Sequence, residues 1–184
     1  MTYLAIDPGS TSTKVAVYRD GAMIKGSFDH HRSEIDTYPS IYSQKAMRFR
    51  TIADWLDSKA LSAQPFRAVI GRGGLIRPVP GGVFAVNDAL LADLVDGVNG
   101  QHASNLGGIL AREFAEKCNC PAYIADPVVV DELSPEARLT GLEGLERKSI
   151  FHALNQKAMA RNVAKKMEKS YEDVTLIVAH LGGG

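Results

Sequence analysis

The sequence predicts an α/β fold on a mixed sheet. Three observations point to it: the chain opens as a β-meander, strands and helices alternate after that, and the composition is that of a globular protein. Apolar residues make up 45% and charged residues 23% of 184 positions, which is neither a disordered nor a membrane composition.

The elements follow in order. Tyr3 to Asp7 is a short apolar run, Pro8 to Ser12 is turn-forming, and Val15-Ala16-Val17-Tyr18 is β-prone. Asp20-Gly21 is a two-residue hairpin signal, which pairs Met23 to Phe28 back as a third strand. Phe49, Ile52, Ala53, Leu56 and Ala60 recur at helical spacing and Pro65 closes the segment. Phe66 to Ile70 is the next strand and runs into Gly71-Arg72-Gly73-Gly74; a loop over Arg77 to Gly82 then precedes strand-like Val83 to Val86. Leu106, Ile109, Leu110 and Phe114 mark a helix with Ser104 as its expected cap. Pro121 introduces the strand Ala122 to Ala125, which stops at Asp126. Past Ser134-Pro135, a long helix is expected near Ser149 to Lys169, then a strand over Val174 to Ala179 and His180-Leu181-Gly182-Gly183-Gly184.

That last strand and turn echo the first. Leu4-Ala5-Ile6-Asp7-Pro8-Gly9-Ser10 and Ile177-Val178-Ala179-His180-Leu181-Gly182-Gly183 are each an apolar strand, a polar residue and a Gly-led turn, a weak sign of duplication. The expected organisation is therefore one domain over 1–148 and, over 149–184, a linking helix with the start of a second domain, so that the chain reads as a fragment.

Charge and cysteine content exclude other classes. Lys plus Arg and Asp plus Glu are 21 each, so the basic footprint of a nucleic-acid or anionic-membrane binder is missing. No apolar run approaches the ~20 residues of a membrane helix. Cys118-Asn119-Cys120 is no disulfide framework, which makes free thiols in a reducing cytoplasm the expectation. His30-His31 lacks companion ligands for zinc and is expected to be solvated. Trp55 is expected in the core or at an interface, and Lys165-Lys166 on a solvated helix face.

The chemistry-bearing residues gather at the turns. In Asp7-Pro8-Gly9-Ser10-Thr11-Ser12-Thr13-Lys14, Gly9 allows backbone N–H groups close to a phosphate, the hydroxyls donate, and Lys14 adds positive charge. The Walker spacing is missing, and a strand follows where a helix would be needed. Arg72 stands at a strand end between glycines and offers a planar fork to a carboxylate or phosphate. His102 precedes a helix start, and Asp126 ends a strand where a carboxylate can bind Mg²⁺. Asp131 and Glu132 read as a polar helix start.

The first loop, Asp-x-Gly-Ser-x-Ser-x-Lys, resembles that of the superfamily of sugar kinases, acetate kinases, actin and heat-shock chaperone ATPases. Five further stretches narrow the resemblance: Val69 to Gly74, Gly100 to Gly108, Asp126 to Leu133, Ser149 to Lys157 and Ala179 to Gly184 look, in that order, like butyrate kinase. The resemblance implies an actin-like ATPase domain (ribonuclease H-like), continuing into a second domain in family members. It implies ATP and Mg²⁺ as cofactors, a short-chain fatty acid as substrate and an acyl phosphate as product of a reversible fermentative step. A homodimer or higher homo-oligomer is implied too, without nucleic acid or membrane. Carried onto this chain, the catalytic residues would be Arg72, His102, Asp126 and His180. Phosphate would be held by Gly9, Ser10, Thr11, Ser12 and Lys14, and by His180, Gly182 and Gly183; the metal would lie at Asp7 and Asp126. Butyrate and acetate kinases usually carry Asn at the position of Asp7, so the metal geometry departs from the family here. The rival expectation is a binding module that keeps kinase motifs without catalysis; a chaperone- or actin-like ATPase would leave Arg72 and His102 without a carboxylate to meet.

Overall fold

The computed structural model describes residues 1–181. The chain divides into two compact units, the first made of Met1–Arg77 and Gly82–Ala125, the second of Pro78–Gly81 and the residues from Asp126 on.

The first unit is a six-stranded sheet in the order β3-β2-β1-β4-β6-β5. Its opening meander is β1 (Thr2–Pro8), β2 (Ser12–Arg19) and β3 (Ala22–Asp29), all antiparallel. The β2–β3 turn has positive φ at both Asp20 (49°) and Gly21 (87°), the conformation that suits an Asp-Gly hairpin. β4 (Phe66–Arg72) runs parallel to β1, β6 (Ala122–Ala125) runs parallel to β4, and the short β5 (Val83–Ala85) closes the edge antiparallel to β6. The sheet is mixed, as the sequence predicts.

Helices cover the sheet, although of the expected stripe Phe49, Ile52, Ala53, Leu56 and Ala60 only Ile52 and Leu56 are buried and Ala60 lies past the helix end at φ 53°. After a one-turn helix α1 (Arg32–Ile35), α2 (Lys45–Ser58) sets the buried Ile52, Trp55 and Leu56 inward, with Trp55 edge-on to Phe28 of β3. α3 (Asp88–Asp96) has no counterpart in the sequence reading. Yet its signals are present: Asn87 accepts from the Leu90 N–H as N-cap, and Gly97 ends it at φ 65°. α4 (Asn105–Lys117) buries Leu106, Ile109, Leu110 and Phe114, and Phe114 stacks on Phe49 at 4.1 Å. The expected cap on α4 is not formed: Ser104 is itself helical in φ and ψ, and its hydroxyl bonds His102 instead. Cys118 sits at the end of α4, and both cysteines are free thiols whose pKa burial raises.

In the second unit, α5 (Ala153–Lys166) is shorter than the expected 149–169 and buries its alanines 153, 160 and 164. Asp131 and Glu132 lie outside any helix; both carboxylates are engaged in ion pairs, with Arg138 and with Lys157 of α5. Residues 174–181 join no ladder, contrary to the expected strand, because no described strand lies alongside to complete one.

Candidate active site

Parallel pairing of β1 and β4 builds the site in the first unit. Ile6 is in register with Gly71, so the next residues, Asp7 and Arg72, leave the carboxyl ends of adjacent strands together. Ligands of open α/β sheets bind at that end. Arg72 Nη1 donates to Asp7 Oδ1 at 3.2 Å, with the arginine 22% and the aspartate 47% exposed. On its other side Asp7 is the cross-strand partner of the exposed Lys14. One carboxylate thus lies between two basic positions on three adjacent strands.

Between Asp7 and Lys14 the chain turns tightly. The Gly9 N–H donates to Ser12 O at 2.7 Å, and Ser10 and Thr11 are exposed at the tip. The turn is backed by a buried polar network that the sequence reading missed. Arg48 of α2 donates from Nη1 to Ser12 O (2.9 Å) and Thr13 Oγ1 (3.0 Å), and from Nε and Nη2 to Gln44 Oε1 (3.2 and 3.0 Å). Thr13 Oγ1 meets His30 Nε2 at 2.7 Å, and the His30 N–H donates to Thr11 O. His30 is therefore buried rather than solvated, while His31 is exposed. Burial, and then the charge of Arg48, lower the His30 pKa.

Two glycines fix the end of β4 against α4. A Cβ on Gly71 would stand 2.1 Å from Gly107 O, and one on Gly107 2.2 Å from Arg72 O. Only backbone without side chains allows that approach. The buried Asn105 ties the neighbouring loops: its Oδ1 accepts from the Leu75 N–H at 2.9 Å, and its Nδ2 donates to Gly100 O at 3.1 Å. The loop carrying His102 is thereby bonded to the loop that follows Arg72. Ser104 N–H donates to His102 Nδ1 at 3.2 Å, and the Ser104 hydroxyl is 2.8 Å from the same nitrogen. Nδ1 is hence an acceptor, and Nε2 carries the proton of the neutral ring.

The remaining sequence-derived site residues belong to the second unit. Asp126 is 7% exposed and holds a left-handed φ of 36°, unusual for a residue other than glycine. Its carboxylate faces Arg161 Nη1 at 3.4 Å and Lys157 Nζ at 3.9 Å. Lys157 also pairs with Glu132, whose carboxyl is held below its ordinary pKa by that bond and by the Gly81 N–H. His180 is exposed and its ring stands edge-on to His152 at 4.4 Å. Gly182 and Gly183 lie outside the described residues. Among the described residues no group of three or more His, Cys, Asp and Glu could hold a metal, and no helix is long and apolar enough to cross a membrane.

No family model matches the chain. Solved structures do. An acetate kinase from Porphyromonas gingivalis superposes with a TM-score of 0.63 at 12% identity, over 92% of this chain and 50% of its own. The fold is that of the acetate kinases. An acetate kinase from Entamoeba histolytica gives 0.58 at 16% identity, over 91% of this chain and 46% of that one. A propionate kinase from Francisella tularensis gives 0.51 at 13% identity, over 91% and 49%. The chain spans about half the length of these structures, and the expected α/β architecture on a mixed sheet is the one observed.

Proposed function

We propose that this chain carries the acyl-substrate side of an ATP-dependent carboxylate kinase, which moves the γ-phosphoryl group of ATP to a short-chain acid such as butyrate and runs reversibly. One observation carries the proposal: Asp7 set between Arg72 and Lys14 at the strand ends, beside a Gly-Ser-Thr turn, on an acetate kinase fold.

The chemistry asks for what this arrangement offers. A carboxylate is ionised at neutral pH and is already a nucleophile, so no general base is required. The obstacle is bringing it against a polyanion, and positioning and charge neutralisation overcome that. In the forward direction a carboxylate oxygen attacks the γ-phosphorus, the bond to the β,γ-bridging oxygen breaks, and ADP leaves with that electron pair. Arg72 presents a planar fork to the acid and to the transferred group, steadied by Asp7. His102, with its proton on Nε2, donates to a developing phosphoryl oxygen. The hydroxyls of Ser10, Thr11 and Ser12 and the charge of Lys14 hold phosphate. Mg²⁺, when bound, would neutralise part of the phosphate charge, and the carboxylate of Asp7 would hold it by loosening its ion pair with Arg72. Asp126 would serve the metal only by giving up its pairing with Arg161 and Lys157. His180, Gly182 and Gly183 are proposed for the second phosphate loop.

ADP release measured with and without short-chain acids tests the proposal. The expected result is turnover that requires the acid and falls on the order of 10²–10³-fold in Arg72→Ala. ATP hydrolysis that ignores the acid would overturn it. Binding of acid or phosphate without any ADP release would leave only a binding module.

A further inference from the structure

Arg48 is the largest side chain withdrawn completely from solvent, at 0% exposure on the inner face of α2. Its acceptors are all neutral: Gln44 Oε1, Thr13 Oγ1, Ser12 O and, at 3.5 Å, Ser10 O. Among the described residues no ion pair includes it. Burial pushes its pKa down to about 10, so it stays a cation at neutral pH. A buried charge without a counter-charge is expensive, and the neighbouring Gln44 is one atom type away from supplying one. Here the charge lies directly beneath the exposed Ser10-Thr11 tip.

The bonding pattern gives the charge a direction. Three successive carbonyls of the turn have donors from the protein: Ser10 O and Ser12 O receive Arg48, and Thr11 O receives the His30 N–H. The negative ends of those peptide dipoles are drawn inward and neutralised, which removes their repulsion toward an anion on the outer side. We infer that Arg48 is a positioning residue of a phosphate site, its uncompensated charge supplying positive potential under the Gly9–Thr13 turn while its fork holds the turn's carbonyls away from the ligand. The inference rests on the kinase reading of that turn and adds a residue to it.

Gln44→Glu tests it, because a carboxylate on the fork cancels the charge and keeps the hydrogen bonds. The probes are inorganic phosphate and Mg-ATP, followed by calorimetry together with thermal unfolding. The expected result is a fold at least as stable as wild type with phosphate affinity weaker on the order of tenfold. A purely structural arginine would leave affinity unchanged, and that result overturns the inference. Should Gln44→Glu not fold, Arg48→Met decides by the same comparison: a folded variant that binds as wild type overturns it, and a tenfold loss supports it. If wild type binds neither probe, the phosphate reading of the turn fails first and takes this inference with it.

Discussion

Alanine at Gly107 should loosen the junction that sets Arg72. The new Cβ would stand 2.2 Å from Arg72 O, against ordinary carbon–oxygen contact at about 3.3 Å, so α4 and β4 must part by roughly 1 Å. Both partners are backbone and neither can swing aside. Overpacking of this kind costs about 3 kcal/mol, while alanine in place of glycine in a helix returns about 1 kcal/mol. The net loss is about 2 kcal/mol, or a melting temperature lower by roughly 4–8 °C for a chain of this size. Gly108→Ala is the control one residue on. Its Cβ would meet Leu94 Cδ1 at 2.5 Å and Ile124 Cγ2 at 3.2 Å. Those are the ends of side chains that can shift, so the propensity gain should hold the change within about 1 kcal/mol. Urea and thermal unfolding, followed by circular dichroism and by the fluorescence of Trp55, compare the two. Gly107→Ala as stable as Gly108→Ala would refute the reasoning that backbone contact fixes the β4–α4 spacing.

Other predictions concern protonation and the second unit. His30 is kept neutral by burial and by Arg48, although Glu34 and Asp29 pull its pKa upward. The unfolded chain binds a proton near the ordinary 6.5 that the native state refuses, so stability is full above pH 6.5 and falls as pH drops below it. His30→Gln should flatten that stretch of the stability–pH curve; an unchanged slope would place the acid sensitivity elsewhere. Lys157→Met should raise the pKa of Glu132, read by carboxyl NMR, and weaken the second unit by about 1 kcal/mol. A Glu132 titration unmoved by the substitution would show that the 2.9 Å pair does not persist in solution.

Local rules made the sheet legible. Asp20-Gly21 specified a turn that few other residue pairs adopt, and the apolar spacing of Leu106, Ile109, Leu110 and Phe114 specified the buried face of α4. Arg72 and Asp7 were found as strand-end residues, but their pairing depends on the β1–β4 register, which no local pattern encodes. Arg48 escaped notice because a charged residue reads as surface. The available signal was its place on the apolar stripe Arg48, Ile52, Trp55, with Gln44 one turn earlier. Val174 to Ala179 shows the opposite limit, since β-prone residues make a strand only where another strand receives their hydrogen bonds. Asp131 and Glu132 were misplaced for a related reason: the backbone there is tied to a distant segment, the Asp131 N–H donating to Val79 O at 2.9 Å beside the bridge between Val79 and Val130.

The most direct test of the carboxylate kinase account is ³¹P NMR of the product formed from Mg-ATP and butyrate. The account predicts an acyl phosphate resonance growing in step with ADP, absent without the acid and lost in Arg72→Ala. Inorganic phosphate as the sole new signal, at the same rate with and without butyrate, would contradict it.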